Sequence, residues 1–398
     1  MIKVIQFCIL AIASLTVMSN SAIAPALGGI ADEFSSTSLT TIRLLLTVPT
    51  LFIIPSTFLA GHLVKRFPIK VILIIGLTIY SIGGVGGAFC VNLVQLFSTR
   101  ALLGIGVGLI MPLTTTIVAE LYEGNERTKM MGRVSAANSF GAAISLVACG
   151  WLASVEWKYS FLVYILGFLV LIFNLLFLPN VGVTLGNSKR ELPQQIFSKN
   201  IYLWALGMFL LFIVFYSIPT NIDFLIEDLK IGNSQTSGIV ISIGTITGFI
   251  AGVYLNLLIK TLKTFFIPFQ LFMLCLGFLL LSKTNNLITV IIGVGVIGFA
   301  VGALIPIIFD RVANTQNKES IAKSMAIISS AMYAGQFLSP LMIDYFANLL
   351  FFKSVQEKYF MQAIIVSILI VTILLINLMK KTPLYKKAKY NHKSTIRR

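Results

Sequence analysis

Apolar residues along this chain fall into twelve long runs, separated by short stretches that gather most of the charge. The runs lie near 4–30, 38–63, 71–92, 93–119, 133–154, 159–179, 201–225, 235–259, 265–282, 287–310, 324–350 and 359–379. An α-helix that crosses a bilayer takes about 20 apolar residues, and every backbone polar group in hydrocarbon must be satisfied within the chain. The pattern therefore predicts an all-α integral membrane protein of twelve transmembrane helices. Composition agrees, with 57% hydrophobic and 11% charged residues among 398. A soluble globule carries about 25% charged residues.

Basic residues alternate between the two sets of loops. One set holds Lys3, Lys65, Arg66, Lys70, Arg127, Lys129, Arg133, Lys189, Arg190, Lys199, Lys260, Lys263, Arg311, Lys318, Lys323 and the basic tail from Lys380 to Arg398. The opposite loops hold only Lys158, Lys230, Lys283, Lys353 and Lys358. The excess of Lys and Arg marks the cytoplasmic side, so both termini are expected there, in the plasma membrane. The net charge of +16 has the same origin. The tail contains no acid and is expected to lie against anionic lipid rather than nucleic acid. An early imitation of a signal peptide (Lys3, the run Val4–Val17, then Ala22-Ile23-Ala24) is read as the first span, because it has a counterpart in mid-chain.

That counterpart belongs to an internal repeat. At an offset of 194 residues, 104–145 overlies 298–339, with identities at Gly104/Gly298, Gly108/Gly302, Pro112/Pro306, Gly141/Gly335 and Ser145/Ser339 among others. The same offset pairs Pro25 with Pro219 and Glu33 with Glu227. Matched Gly and Pro have special backbone roles that chance apolar similarity does not reproduce. Two parallel six-helix repeats follow, at 1–180 and 201–380, with a cytoplasmic linker at 181–200 and a tail at 381–398. Such halves enclose a cleft at mid-membrane that rocking opens to either side.

Charge within hydrocarbon costs about 2.5–3.5 kcal/mol on insertion scales, so each such residue needs a reason. Arg43 and Arg100 lie in the first half, Asp223 and Asp344 in the second. Arg43 and Asp223, near span ends, also fit a placement at the headgroups. Helical spacing puts Arg43, Thr47 and Thr50 on one face of span 2. Asn138, Ser145 and Cys149 share a face of span 5, and Tyr216, Thr220, Asp223 and Glu227 one of span 7. Ser329, Tyr333, Gln336 and Asp344 share one of span 11. Arg43, Asn138, Tyr216, Tyr333 and Gln336 are the substrate-binding candidates, and Trp151 is a further aromatic in reach of such a pocket. An anionic or zwitterionic group is expected near Arg43 or Arg100, with Asp344 or Asp223 as protonatable partner. Interhelical hydrogen bonding is the alternative use of these polar stripes.

Several chemistries are excluded. The four cysteines lie in apolar runs without metal-ligand spacing, and no metal or cofactor site is expected. His62 is the sole histidine outside the tail, and no catalytic pair is visible. Gly293-Val294-Gly295-Val296-Ile297-Gly298 fits GxGxxG, but within an apolar span it reads as small-residue helix packing. No GxxxxGK[ST] phosphate loop exists, which argues against ATP-driven pumping.

The chain resembles the major facilitator superfamily over essentially its whole length. The loop after span 2 in that family reads Gly-x-x-x-Asp-Arg-x-Gly-Arg-Arg. Here Gly61, Arg66 and Lys70 match, while Lys65 replaces an acid that in the family locks the cytoplasmic side. Arg100-Ala101-Leu102-Leu103-Gly104-Ile105-Gly106 resembles the family's Arg-x-x-x-Gly-x-Gly, whose arginine is associated with proton transfer in proton-coupled members. Gly141 and Gly150 are what remains of the glycine-proline motif that antiporters carry in span 5. Trp157-Lys158-Tyr159-Ser160-Phe161 resembles the Trp-Arg-x-x-Phe that opens span 6 in exporters. The resemblance implies the major facilitator fold and a monomeric secondary active transporter, not an enzyme. It implies proton-coupled efflux of a small drug-like compound or metabolite by alternating access. A proton-coupled importer or uniporter, and a non-transporting sensor on the same fold, are the alternatives. Arg100, Asp223 and Asp344 are the proton-coupling candidates. Gly61, Arg66, Lys70, Gly104, Gly108, Pro112 and Gly141 are the candidates for conformational gating.

Overall fold

A computed structural model describes residues 2–178, 200–315 and 321–381, which are helical throughout apart from short connections. Twelve helical spans are long and apolar enough to cross a membrane. We number them span 1 (Val4–Glu33), span 2 (Leu39–Leu63), span 3 (Ile69–Phe89), span 4 (Leu93–Leu121), span 5 (Gly124–Ala153) and span 6 (Trp157–Phe177). The second half continues with span 7 (Ile201–Asp228), span 8 (Ser234–Val253), span 9 (Leu255–Ser282), span 10 (Leu287–Val312), span 11 (Ser324–Leu349) and span 12 (Val355–Thr372). An even number of crossings puts Ile2 and Lys381 on one side, here called the terminal face. The loops at 34–38, 90–92, 154–156, 229–233, 283–286 and 350–354 mark the far face.

Side chains on the far face start several spans. Orphan N–H groups of a first helical turn are met by Ser, Asn or Asp oxygens at the N-cap. Ser38 accepts from the Thr41 N–H at 3.3 Å and Asn92 from Gln95 at 2.9 Å. Asn233 and Thr236 form a reciprocal box, and Asn286 accepts from Thr289 at 2.9 Å. Before span 12, Ser354 accepts from the Glu357 N–H, while the Glu357 carboxylate takes the Lys353 and Ser354 N–H groups at 2.8 Å each.

The repeat is visible in how equivalent glycines pack. Gly104 and Gly108 lay span 4 on the backbone of span 2 at Pro49 and Ile53, leaving no room for a Cβ. Their partners Gly298 and Gly302 lay span 10 on span 8 at Gly244 and Gly248. Likewise Gly141 brings span 5 against Ser14 of span 1, and Gly335 brings span 11 against Phe209 of span 7. Pro25 sits in a 3-10 turn, Ala24–Ala26, that interrupts span 1. Pro219 follows a break at Tyr216 in span 7. Gly293 approaches Leu281 and Gly277 of span 9, so the GxGxxG stretch is a helix-packing surface.

Large apolar side chains cover the outside, among them Val94, Ile144, Leu176, Leu203 and Ile288. Lipid is the solvent that suits such a surface.

Some expected boundaries shift. Span 3 ends at Phe89 rather than Asn92. Span 5 begins at Gly124, nine residues early, and Glu126 and Lys129 pair across its first turn at 2.8 Å. Arg127, Lys129 and Arg133 therefore ride on the helix instead of forming a loop. Span 8 ends at Val253, and a separate helix, Leu255–Leu262, leads through Lys263 at φ 47° into the next helix, Phe266–Ser282. Most of the expected linker and the tail beyond Lys381 lie outside the described residues.

Candidate functional site: a seam sealed at the far face

The two halves meet along a seam, and its far-face end is closed by buried polar contacts. The Arg43 Nη1 of span 2 donates to Asp344 Oδ2 of span 11 at 2.9 Å. Thr40 Oγ1 donates to the same oxygen at 2.6 Å. Lys358 Nζ of span 12 reaches the other carboxylate oxygen, Oδ1, at 2.6 Å. The Arg43 guanidinium lies over the Phe224 ring of span 7, 5.0 Å from its centroid. Arg43 is 2% exposed, so the headgroup placement is set aside and its charge is met inside the protein. A buried ion pair adds little net stability, but removing one partner costs about 3–5 kcal/mol because the other charge is left unmet.

Lys358 corrects the sequence reading twice. It was expected in a far-face loop, yet it lies buried on span 12. The second half therefore holds intramembrane basic charge as well as acidic.

A second closure joins the broken spans 1 and 7. The Gly28 N–H donates to Asp223 Oδ2 at 2.8 Å, and the Glu227 carboxylate packs where a Gly28 side chain would project. Among the described residues no Lys or Arg pairs with Asp223. On the neighbouring seam, Gly150 and Leu146 of span 5 pack against Ser234, Gln235 and Gly238 of span 8.

Arg100 takes no part in the seam. It is fully buried within the first half, its guanidinium about 5 Å from both the Phe161 and the Tyr164 ring centroids. Nη1 donates to the Tyr164 hydroxyl at 3.1 Å, whereas Nε and Nη2 have no partner. The Trp157–Phe161 motif thereby gains a structural role, with Phe161 beneath Arg100 and Trp157 edge-on to it.

On the terminal-face side of these closures a cavity of about 650 Å³ lies between the halves. Small-molecule sites span about 300–1,000 Å³. The first half contributes Val17, Gly132, Ser135, Ser139 and Ala142. The second contributes residues of spans 7, 8 and 10, including the packing glycines 244, 248, 298 and 302. Ser135, Ser139 and Thr245 are its side-chain polar groups, and no charged residue lines it among the described residues.

None of the five expected substrate-binding residues lines that cavity. Arg43 is in the far-face cluster. Tyr216 is buried at the break of span 7, between the lining residue Phe215 and Ser217. Tyr333 crosses the seam, its hydroxyl 2.9 Å from Met111 Sδ of span 4. Gln336 is buried with Oε1 unmet, and Asn138 has an unmet Oδ1 beside lining residue Ser139. Trp151, 59% exposed, points outward and not into a pocket. Among the gating candidates, Gly104, Gly108 and Gly141 are packing positions within the first half, and Pro112 lies inside span 4. Gly61 has open space around it and Arg66 is exposed, with no acid paired to Arg66 or Lys70 among the described residues. Sequence reasoning missed Thr40, Lys358 and the cavity wall. A Thr-x-x-Arg pair one turn apart was the available signal for the first.

Known proteins fit this architecture. "Multidrug resistance protein 2" of Bacillus subtilis (strain 168) is 37% identical over 94 residues, 24% of each chain. "Multidrug transporter protein MdtP" of the same organism is 27% identical over 129 residues, 31% of this chain and 24% of that protein. The matches thus span about a quarter of these relatives. Among solved structures, a POT family transporter bound to a thioalcohol-conjugated peptide superposes with TM-score 0.74 at 13% identity, covering 95% of this chain and 96% of that one. A D-xylose-proton symporter gives 0.70 at 15% identity, covering 93% and 97%. These two share the fold. The Major Facilitator Superfamily model matches residues 9–340, and with twelve spans in two packed repeats around a seam cavity, the chain belongs to that superfamily of membrane transporters.

Proposed function

We propose that this transporter exports a small, lipophilic or amphipathic organic solute from the cytoplasm by alternating access, coupled to protons. The observation that carries the reading is the uncharged cavity of about 650 Å³ on the terminal-face side of a closed far face. Apolar walls with three hydroxyls favour solutes without a formal charge at the bound moiety, because an unpaired charge there would be left unmet. The Lys and Arg asymmetry supports the terminal face as the cytoplasmic one. The names of the Bacillus relatives support export of drug-like compounds. Asp223, buried and without a cationic partner, is the better candidate for carrying the proton. Asp344 is committed to two cations.

The test is flux in everted membrane vesicles with a lipophilic fluorescent dye and an imposed pH gradient, acid inside. Dye accumulation that collapses with the gradient supports export by proton exchange. Movement only down the dye's own gradient, or toward the opposite side, removes this reading in favour of a uniporter or an importer.

A further inference from the structure

Span 2 presents two donors to one oxygen. Thr40 and Arg43 lie one helical turn apart, and both donate to Asp344 Oδ2, at 2.6 and 2.9 Å. Both belong to the first half. Asp344 and Lys358 belong to the second, joined to each other at 2.6 Å. When the halves part at the far face, Lys358 keeps its carboxylate and the Thr40–Arg43 pair loses its acceptor. The Phe224 ring, also of the second half, withdraws with it. Arginine stays charged at any physiological pH.

We propose that Thr40 and Arg43 form a carboxylate-binding site, filled by Asp344 while the far face is closed and by a solute carboxylate arriving from the far side when it is open. Three observations carry this. The occupant in the closed structure is already a carboxylate, so the donor geometry suits one. The cluster holds two cations for one anion, so positive charge is in excess. Arg43 Nε is buried and unpartnered, and Asp344 uses a single guanidinium nitrogen. A free carboxylate engages Nε and an Nη together, a bidentate fit that Asp344 forgoes by turning its other oxygen to Lys358. A solute carboxylate and Asp344 therefore compete for the same two side chains, Thr40 and Arg43. The solute holds the far face open to the extent that it binds that state better. The inference rests on the alternating-access reading above.

The experiment uses the full-length protein in lipid nanodiscs with spin labels at Leu39→Cys and Leu349→Cys, exposed far-face ends of spans 2 and 11. Benzoate is the probe, and benzamide, of the same shape without the charge, is its control at matched ionic strength. Benzoate is expected to raise the long-distance population and benzamide is not. In Asp344→Asn, which leaves the cradle and replaces the charged competitor by a weaker neutral acceptor, benzoate is expected to bind about tenfold tighter than in wild type. Arg43→Gln/Asp344→Asn loses that gain. Equal effects of benzoate and benzamide on the unsubstituted label pair, or equal benzoate binding by the single and double variants, overturn the proposal. If Asp344→Asn opens the far face but benzoate changes nothing, this site alone fails. If the labels stay close in every variant and condition, alternating access fails with it.

Discussion

Asp223 Oδ2 accepts the Gly28 N–H at 2.8 Å, tying the interrupted first span of one half to the interrupted first span of the other. The donor is a backbone group, so what the contact asks of residue 223 is an acceptor, not a charge. Asp223→Asn keeps an acceptor oxygen and is expected to hold the fold, with the melting temperature close to wild type. The same variant is expected to lose pH-driven flux in proteoliposomes while retaining dye-gradient exchange. Retained pH-driven flux removes Asp223 from proton coupling.

The far-face cluster has an opposite dependence, because there charge itself is the contact. Asp344→Ala leaves Arg43 and Lys358 facing each other and is expected to cost about 3–5 kcal/mol of closed-state stability. Labelling of Thr47→Cys by a membrane-impermeant maleimide should rise several-fold. The swap Arg43→Asp/Asp344→Arg should restore part of the protection. The native cysteines are all buried, so background labelling is low.

Glycines of this chain divide by what surrounds them. Gly298→Ala pushes a methyl into the Gly244 carbonyl and is expected to lower stability by about 1–3 kcal/mol, the usual range for overpacking. Gly61→Ala meets open space and should leave the thermal midpoint unchanged. Thermal unfolding of both variants in one detergent checks the contrast.

Filling the cavity should impair transport without harming the fold. Thr245→Trp projects into the 650 Å³ space rather than into a packed core. The expected outcome is at least a severalfold loss of dye flux with a melting temperature near wild type.

Arg100 is held by rings. Tyr164→Phe removes one hydroxyl acceptor and keeps both stacked faces, a loss of about 1.5–3 kcal/mol for a bond to a charged group. Arg100→Lys gives up the planar stack on Phe161 and Tyr164 and should cost more. Chemical unfolding monitored by aromatic fluorescence ranks the two.

The spans were readable in advance because bilayer thickness dictates their length, and hydrocarbon tolerates few exceptions to an apolar run. The repeat was readable because Gly104/Gly298 and Gly141/Gly335 are positions where backbones touch, and no other side chain fits. Lys358 was misplaced because a cation at a span's edge looks the same in sequence whether it reaches water or turns to Asp344, fourteen residues earlier. The cavity left no mark at all. Its wall is mostly Gly, Ile and Val, and those residues read identically whether they face a neighbouring helix or empty space. Polar residues drew attention to Tyr333 and Gln336, which the fold uses at the seam and in the interior instead.

Spans 8 and 10 touch carbonyl to Cα at Gly244, Gly248, Gly298 and Gly302, and Thr247 Oγ1 adds a 2.8 Å bond to the Gly295 carbonyl. Where the two backbones meet there is no side chain to rotate aside, so spans 8 and 10 are joined as one unit behind this wall of the cavity. The opposite wall is different, because there Ser135 and Ser139 ride on span 5. Any reshaping of the space between them therefore starts from span 5 and not from the joined pair.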